Sequence, residues 1–464
     1  MAVSLQIGVL GQPTVRHNAA CVPTETMCAF SQFFRVSCEF STASVRNPPV
    51  QRGDSARRRR HLGFIAPTKT GRAFFSMNST RSITPWSKID DRRIIIMENH
   101  DGRALVDPAM DKKAHNFLER PGSHRSSCGR FQRMGALLTS GDGPRFATCD
   151  AWGVLPDKWR LVEVAGVATD SNDRVFVFNR GDHPIIIFDR EGRFVGAWGE
   201  RLFVNPHGIT IGPDDSVYCT DDHDHTVKKF SPEGELLLTL GTSGRASDTG
   251  AASQDFRTIR HAGPPFHYPT NLAIAADGSL YISDGYGNAR IHKFSHDGVH
   301  QYSWGEPGGG PGEFRLPHGI AVAHDGTIVV ADRENSRLQF FSPNGQFLKE
   351  WTDIARPCQV FVDAAGRVYV AELGYRAGMW PGTTAPSPQS TGGRVSVFDS
   401  DGQLLSRWGG GANPCAPGDF YAPHDLCLDS RGDLYVGEVT WSAGGNQGVV
   451  PPDCHSLQKF ARLG

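Results

Sequence analysis

Between residue 165 and the C-terminus one unit recurs six times, and this repeat limits the fold more than any other feature of the 464-residue chain. Each copy opens on a Pro-His-Gly-like turn, continues through a short apolar run, an Asp-Gly-like turn and a second run, and then a third run containing Phe. The clearest second runs are Ser216–Thr220, Ser279–Ser283, Thr327–Ala331, Arg367–Ala371 and Asp433–Gly437. Third runs follow at Val227–Ser231, Arg290–Ser295, Leu338–Ser342 and Val395–Asp399. A fourth run ends in Trp198-Gly199, Leu240-Gly241, Trp304-Gly305, Trp351 or Trp408-Gly409. Four short strands recurring every roughly 40–65 residues are the pattern of a β-propeller blade. A single blade cannot bury both of its faces, so the blades must stack around an axis.

The ends of the repeat set the blade number. The last copy stops after its third strand, at Leu457–Phe460, while an unassigned fourth strand, Phe146–Gly153 with Trp152-Gly153 at its end, lies upstream of the first copy. Pairing these two closes the ring and removes a free sheet edge. The expectation is an all-β, six-bladed propeller over residues 145–464, closed by the strand near 146–153. Insertions fall at roughly 242–266 and 375–393. With a third loop, 441–454, they are placed over a pocket at the axis, on the face where the first strands begin.

Every second copy carries a histidine in its opening turn: His207 in Asn-Pro-His-Gly-Ile, His318 in Leu-Pro-His-Gly-Ile and His424 in Ala-Pro-His-Asp-Leu. The other copies have Ala165, Thr270 and Cys358 there. In a six-bladed ring the three histidines stand about 120° apart and face one axis. Three neutral imidazoles converging with one position open are the ligand set of a catalytic Zn²⁺. A single histidine in such a turn is more often a packing or hydrogen-bonding residue; packing does not readily account for the alternation.

Residues 1–144 lack the repeat. They contain Arg57-Arg58-Arg59-Arg60, scattered Ser, Thr and Pro, and four cysteines. This composition is expected to be a disordered extension. Its Arg-rich, acid-poor start resembles an organelle transit peptide, but a start of the functional protein near Met134 is favoured. Net charge is −1, which gives no electrostatic ground for nucleic-acid binding, and no apolar run reaches the ~20 residues of a membrane span. Of the propeller cysteines (Cys149, Cys219, Cys358, Cys415, Cys427 and Cys454), most sit in strand runs as small apolar residues. Sequence alone cannot pair them.

Asn179-Arg180-Gly181-Asp182-His183, the three histidine turns, Ser283-Asp284-Gly285-Tyr286-Gly287-Asn288-Ala289-Arg290-Ile291 and Ala331-Asp332-Arg333-Glu334-Asn335-Ser336-Arg337 occur in this order on successive blades. Together with Phe-Ser-Pro-x-Gly after a third strand, they resemble NHL-type repeats and, more closely, peptidyl-α-hydroxyglycine α-amidating lyase. The resemblance covers nearly the whole propeller. It implies a zinc-dependent lyase that cleaves the C–N bond of a peptidyl-α-hydroxyglycine, or a similar N-acyl carbinolamide, to an amide and glyoxylate. It places zinc on His207, His318 and His424, a general base on Tyr286, and active-site arginines at Arg180 and Arg333. It also places a structural Ca²⁺ on Asp425 and the backbone carbonyl of Ile209. The implied partner is a small-molecule or peptide substrate bearing a carboxylate, with Arg180 as the candidate to bind that group. Tyr286 would need nearby positive charge, from Zn²⁺ and Arg333, to ionise near neutral pH. Two departures stand out. The family's methionine two residues before the third zinc histidine is Ala422, and Tyr268, Gly287, Val330 and Phe340 stand at or near the places of its disulfide cysteines. Loss of those disulfides leads to the expectation of a cytoplasmic protein.

Two other readings compete: a non-catalytic NHL-repeat scaffold that binds protein or RNA, and a propeller lactonase or hydrolase, whose sites use carboxylates and Asn on calcium. The remaining polar clusters have plainer readings. Arg180 could pair with Asp182, and Arg333 with Asp332 or Glu334. Asp221-Asp222-His223-Asp224-His225 reads as a solvated loop between two strands rather than a second metal site. Glu372 and Glu438 end second strands and are candidates to line the channel.

Overall fold

The computed structural model describes residues 134–137, 143–375 and 391–464. They form a six-bladed propeller. Blade 1 comprises Val164–Thr169, Val175–Asn179, Ile185–Phe188 and Phe194–Trp198; blade 2 Pro206–Ile211, Val217–Asp221, Thr226–Phe230 and Leu236–Gly241. Blade 3 is Pro269–Ile274, Leu280–Asp284, Arg290–Phe294 and His300–Trp304; blade 4 is Pro317–Val322, Ile328–Asp332, Arg337–Phe341 and Phe347–Trp351. Blade 5 comprises Pro357–Val362, Val368–Glu372, Arg394–Phe398 and Leu404–Gly409, and blade 6 begins with Pro423–Leu428, Leu434–Glu438 and Leu457–Leu463. Strands within a blade are antiparallel and adjacent in sequence order. The first strands pack blade to blade around the axis, that of blade 6 returning to that of blade 1.

The ring closes as the repeat requires. Arg145–Cys149 pairs with Leu457–Leu463, with Arg145 opposite Leu463 and Thr148 opposite Phe460. Two details differ from the expectation. The closing strand ends at Cys149, so Trp152-Gly153 lies beyond it. Trp152 packs instead on Phe188 and Tyr435 and donates its indole N–H to the Arg190 carbonyl at 2.9 Å. Met134–Leu137 adds a fifth strand to this blade, against Arg145–Cys149. That strand covers the edge of the closing one. The rest of the expected N-terminal extension, and most of the insertion at 375–393, lie outside the described residues.

Each blade is sandwiched between two others, so its second strand is buried along its whole length rather than on one face. Phe176, Phe178 and Ile185 of blade 1 pack on Ile209, Val217 and Phe230 of blade 2, and similar clusters fill the other seams. The terminal Trp of a fourth strand reaches into the next blade. Trp198 lies over the Gly234 turn, where a Cβ would come within 2.7 Å of the indole, and Gly234 adopts φ +95°. Glycine is required there on both counts.

A second device holds the turns in which the histidines sit. The last residue of each second strand turns its side chain back and accepts backbone N–H groups of the segment leading into the first strand. Asp221 accepts from Val204 and Asn205 at 2.6 and 3.0 Å, Asp332 from Arg315 at 2.8 Å, and Glu438 from Tyr421 and Ala422 at 2.8 and 3.1 Å. Glu372 does the same for Ala355 at 2.6 Å. Glu372 and Glu438 are fully buried latches of this kind; they do not line the channel.

One disulfide joins Cys415 to Cys454, and Cys149 is disulfide-bonded too. Cys219, Cys358 and Cys427 are free and buried. Among the described residues no helix is long and apolar enough to cross a membrane.

Candidate metal centre

His207, His318 and His424 meet at the axis. Their rings lie 4.7–4.8 Å apart, centroid to centroid, and one nitrogen from each lies within 4.8 Å of the others. All three are buried. The alternation in the sequence has a direct structural meaning. Nδ1 of His207 is 2.6 Å from the Thr270 carbonyl, Nδ1 of His318 is 2.8 Å from that of Cys358, and Nδ1 of His424 is 2.7 Å from that of Ala165. Each acceptor is the equivalent residue of the following blade. A carbonyl can only accept, so Nδ1 carries the proton and Nε2 keeps a lone pair. Such a partner on the far nitrogen orients a metal-binding imidazole. Burial pushes the His207 imidazole down to about 3 and the other two well below the usual histidine range, so all three are neutral at pH 7. Among the described residues no other group of three His, Cys, Asp or Glu side chains is placed to hold a metal ion.

Tyr286 stands over this triad. Its hydroxyl is 3.3 Å from His207 Nε2, 3.2 Å from His318 Nε2 and 3.2 Å from Arg333 Nη1. The Gly285-Tyr286-Gly287 sequence lets the loop pass against its neighbours: a Cβ at Gly285 would meet the Pro317 carbonyl at 2.1 Å and one at Gly287 the His267 ring at 2.4 Å. Burial raises the Tyr286 phenol above 10, opposed by Arg333 and Arg180. The two arginines alone therefore do not bring it into the neutral range. Arg333 follows the latch residue Asp332 and is buried, with Nε on Glu334 at 2.9 Å.

Arg180 partners Glu163 rather than Asp182. Its Nη1 donates to Glu163 Oε1 at 3.0 Å and its Nε to the Pro206 carbonyl at 2.7 Å. Arg180, Tyr286, Arg333 and His424 line one pocket, which Gln254 of the 242–266 insertion and Ser442 of the 441–454 loop help to wall. Two of the three expected covering loops thus lie on the histidine face. Asp222 lines the same pocket. It is buried and accepts from Asn205, Gln254 and His223 at 2.7, 2.9 and 2.8 Å. The segment read as a solvated loop is thus largely inside: Asp221, Asp222, Asp224 and His225 are buried. Asp221 is a latch, and Asp224 takes Lys228 at 2.8 Å.

Asp425 sits deeper in the channel. Its carboxylate accepts from Val167 and Leu426 N–H at 3.0 and 2.8 Å and from the Gln359 amide at 2.7 Å. Burial pushes this carboxyl up to about 7. Ile209 lines the same stretch of channel. Ala422 is fully buried among Tyr421, Val439 and Val450, so apolar packing fills the surroundings of the methionine's expected position.

Residues 314–341, from the entry of blade 4 to the end of its third strand, match the NHL repeat family. The chain is 30% identical over 60% of its length to peptidyl-glycine alpha-amidating monooxygenase B of Xenopus laevis, covering 33% of that protein. It is 30% identical over 53% of its length to peptidyl-alpha-hydroxyglycine alpha-amidating lyase 1 of Drosophila melanogaster, covering 45% of it. It is 35% identical over 40% of its length to human NHL repeat-containing protein 3, covering 54% of it. The chain spans about a third of the length of the monooxygenases it matches. The chain is a β-propeller, one segment of which matches the NHL repeat, and it has relatives named as amidating lyases.

Proposed function

We propose that the chain is a carbon–nitrogen lyase that cleaves an N-acyl-α-hydroxyglycine to an amide and glyoxylate, with zinc on His207, His318 and His424. The observation that carries this reading is the convergence of three neutral imidazoles beneath the hydroxyl of Tyr286. Their tautomers are fixed by carbonyls and their free nitrogens are grouped, so the donor set fits zinc. Zinc there would supply a Lewis acid that lowers the pKa of a substrate hydroxyl.

The residues then divide the remaining work. Tyr286 is placed to take the proton of the carbinol hydroxyl. As that oxygen becomes a carbonyl, the C–N bond breaks and its electron pair goes to nitrogen. The proton passes to that nitrogen, giving the primary amide, and no water is consumed. Arg333 donates to the Tyr286 oxygen and so favours its ionised form. Arg180 offers the substrate carboxylate a charged donor. Burial of the pocket strengthens each of these contacts.

We also propose Ca²⁺ at Asp425 with the Ile209 carbonyl. In support, burial holds the metal-free carboxyl near neutrality, and a cation there would offset the cost of its charge. A scaffold that only binds protein or RNA has no use for three desolvated imidazoles around a phenol. A calcium lactonase would need carboxylates and asparagine where these histidines stand. The test is glyoxylate release from α-hydroxyhippurate by the zinc-loaded protein. Zinc-dependent release supports the reading, and absence of release at full zinc occupancy refutes it.

A further inference from the structure

Arg180 is held by a buried carboxylate that has a second attachment. Glu163, 2% exposed, lies just before blade 1. Its Oε1 accepts from Arg180 Nη1 at 3.0 Å, and its Oε2 accepts the backbone N–H of Ser442 at 2.6 Å. The backbones are joined as well, Arg180 N–H donating to the Glu163 carbonyl at 2.9 Å. Arg180 Nη2 makes no hydrogen bond among the described residues, and the side chain lines the pocket.

Ser442 belongs to a short helix, Thr440–Ala443, at the start of the segment between the second and third strands of blade 6. Ser442, Ala443, Asn446 and Gln447 of this segment form one wall of the pocket. Its far end is closed by the Cys415–Cys454 disulfide onto the loop before blade 6. Its near end is fixed by Val439 N–H on the Ala422 carbonyl at 3.1 Å. The segment is therefore a strap anchored at both ends, and Glu163 is the link between it and the arginine.

We propose that Glu163 is a positioning residue: by bridging Arg180 to the disulfide-closed strap, it aims the guanidinium at the carboxylate of the substrate. The proposal rests on the lyase reading only in naming that carboxylate as part of an α-hydroxyglycine. Charge and geometry make opposite predictions here. Glu163 neutralises Arg180, so if its charge alone mattered, removing it would tighten binding of an anion. If it acts by orientation, removing it weakens binding.

The test uses the full zinc-loaded chain, with α-hydroxyhippurate as substrate, hippurate as an unreactive carboxylate and hippuramide as its neutral counterpart. Glu163→Gln is expected to raise KM for α-hydroxyhippurate about tenfold, equivalent to ~1.4 kcal/mol. The value of kcat should stay within about twofold. Hippurate binding should weaken in proportion and hippuramide binding should not change. Ser442→Pro deletes the strap N–H, which has no intrahelical acceptor in a first helical turn, and should move KM the same way. The double variant should be no worse than Glu163→Gln, since both break one bridge. An unchanged or lower KM and Kd in Glu163→Gln, or additive effects in the double variant, overturns the proposal. If the wild type binds hippurate but releases no glyoxylate, the lyase reading fails, while the hippurate comparison still decides the role of Glu163. If the wild type does not bind hippurate, the proposal is overturned.

Discussion

Replacing His318 by alanine separates a metal centre from a histidine cluster that merely packs. In the metal-free protein the substitution removes one imidazole, its 2.8 Å bond to the Cys358 carbonyl and its 3.2 Å contact with the Tyr286 hydroxyl. A buried carbonyl left without a donor costs about 1–3 kcal/mol, so the variant should fold with a lower melting temperature. The decisive quantity is the response to zinc. At a free concentration 100 times its Kd, zinc binding stabilises the native state by about 2.7 kcal/mol. At roughly 2 °C per kcal/mol for a domain of this size, the wild-type midpoint should rise by about 5 °C. If losing one of three ligands weakens binding even about a hundredfold, the same concentration only equals the new Kd. The gain then falls to about 0.4 kcal/mol, or about 1 °C. Elemental analysis beside the melting curves should find about one zinc per wild-type chain and a sharp fall in the variant. Equal zinc-induced shifts in both proteins, or no zinc in the wild type after expression with zinc supplied, would refute the tri-histidine reasoning.

Tyr286→Phe removes the hydroxyl that touches two imidazoles and Arg333; kcat should fall by about 10²–10⁴ with zinc content unchanged, and a smaller loss in a glyoxylate-release assay would remove Tyr286 as the base. Replacing Cys415 and Cys454 together by serine should raise KM for α-hydroxyhippurate and speed hydrogen exchange of strap amides while leaving kcat close to wild type; an unchanged KM would mean the strap holds its place without the disulfide. His455, at the end of the strap, lies 3.1 Å from Glu438 Oε1; burial lowers its pKa, but the glutamate outweighs this and the net shift is upward. A raised folded-state pKa gives stability that is complete below the unfolded value near ~6.5 and lost as pH rises through the folded value. Strap protection, corrected for intrinsic exchange, should therefore fall as pH rises above about 6.5 in the wild type and be flat in His455→Gln.

The ring and the histidine cluster at its axis were legible because both are periodic. Blade number followed from one orphan fourth strand, and the cluster from a histidine in every second turn. The limits of the second strands came within a residue, and the direction of the error is informative. The run read as Ser216–Thr220 is the strand Val217–Asp221, because the aspartate that looks like the start of a polar loop is the latch that ends the strand inside the protein. The same oversight made Asp221–His225 look solvated. Buried carboxylates with backbone N–H partners are invisible to a hydropathy pattern, since the compensating groups belong to no particular residue type. Glu163 and the Cys415–Cys454 bridge were missed for a different reason. They lie in blade-specific connections, where no repeat gives a register and cysteine spacing carries no pairing information.

The blade number and the histidine cluster depend on each other. Each imidazole needs two things: a place on the axis and an acceptor for its Nδ1 proton. The acceptor comes from the equivalent turn of the next blade: Thr270 for His207, Cys358 for His318 and Ala165 for His424. The bond to the imidazole uses only the carbonyl of that turn, so it does not depend on which side chain stands there. A strict alternation of imidazole and acceptor closes only on an even number of blades. Four blades would offer two imidazoles and eight would offer four, on a wider axis. Six is the number that gives three imidazoles, the set the proposed zinc site needs with one position open, and lets Ala165, the first turn of the chain's repeat, serve His424, the last.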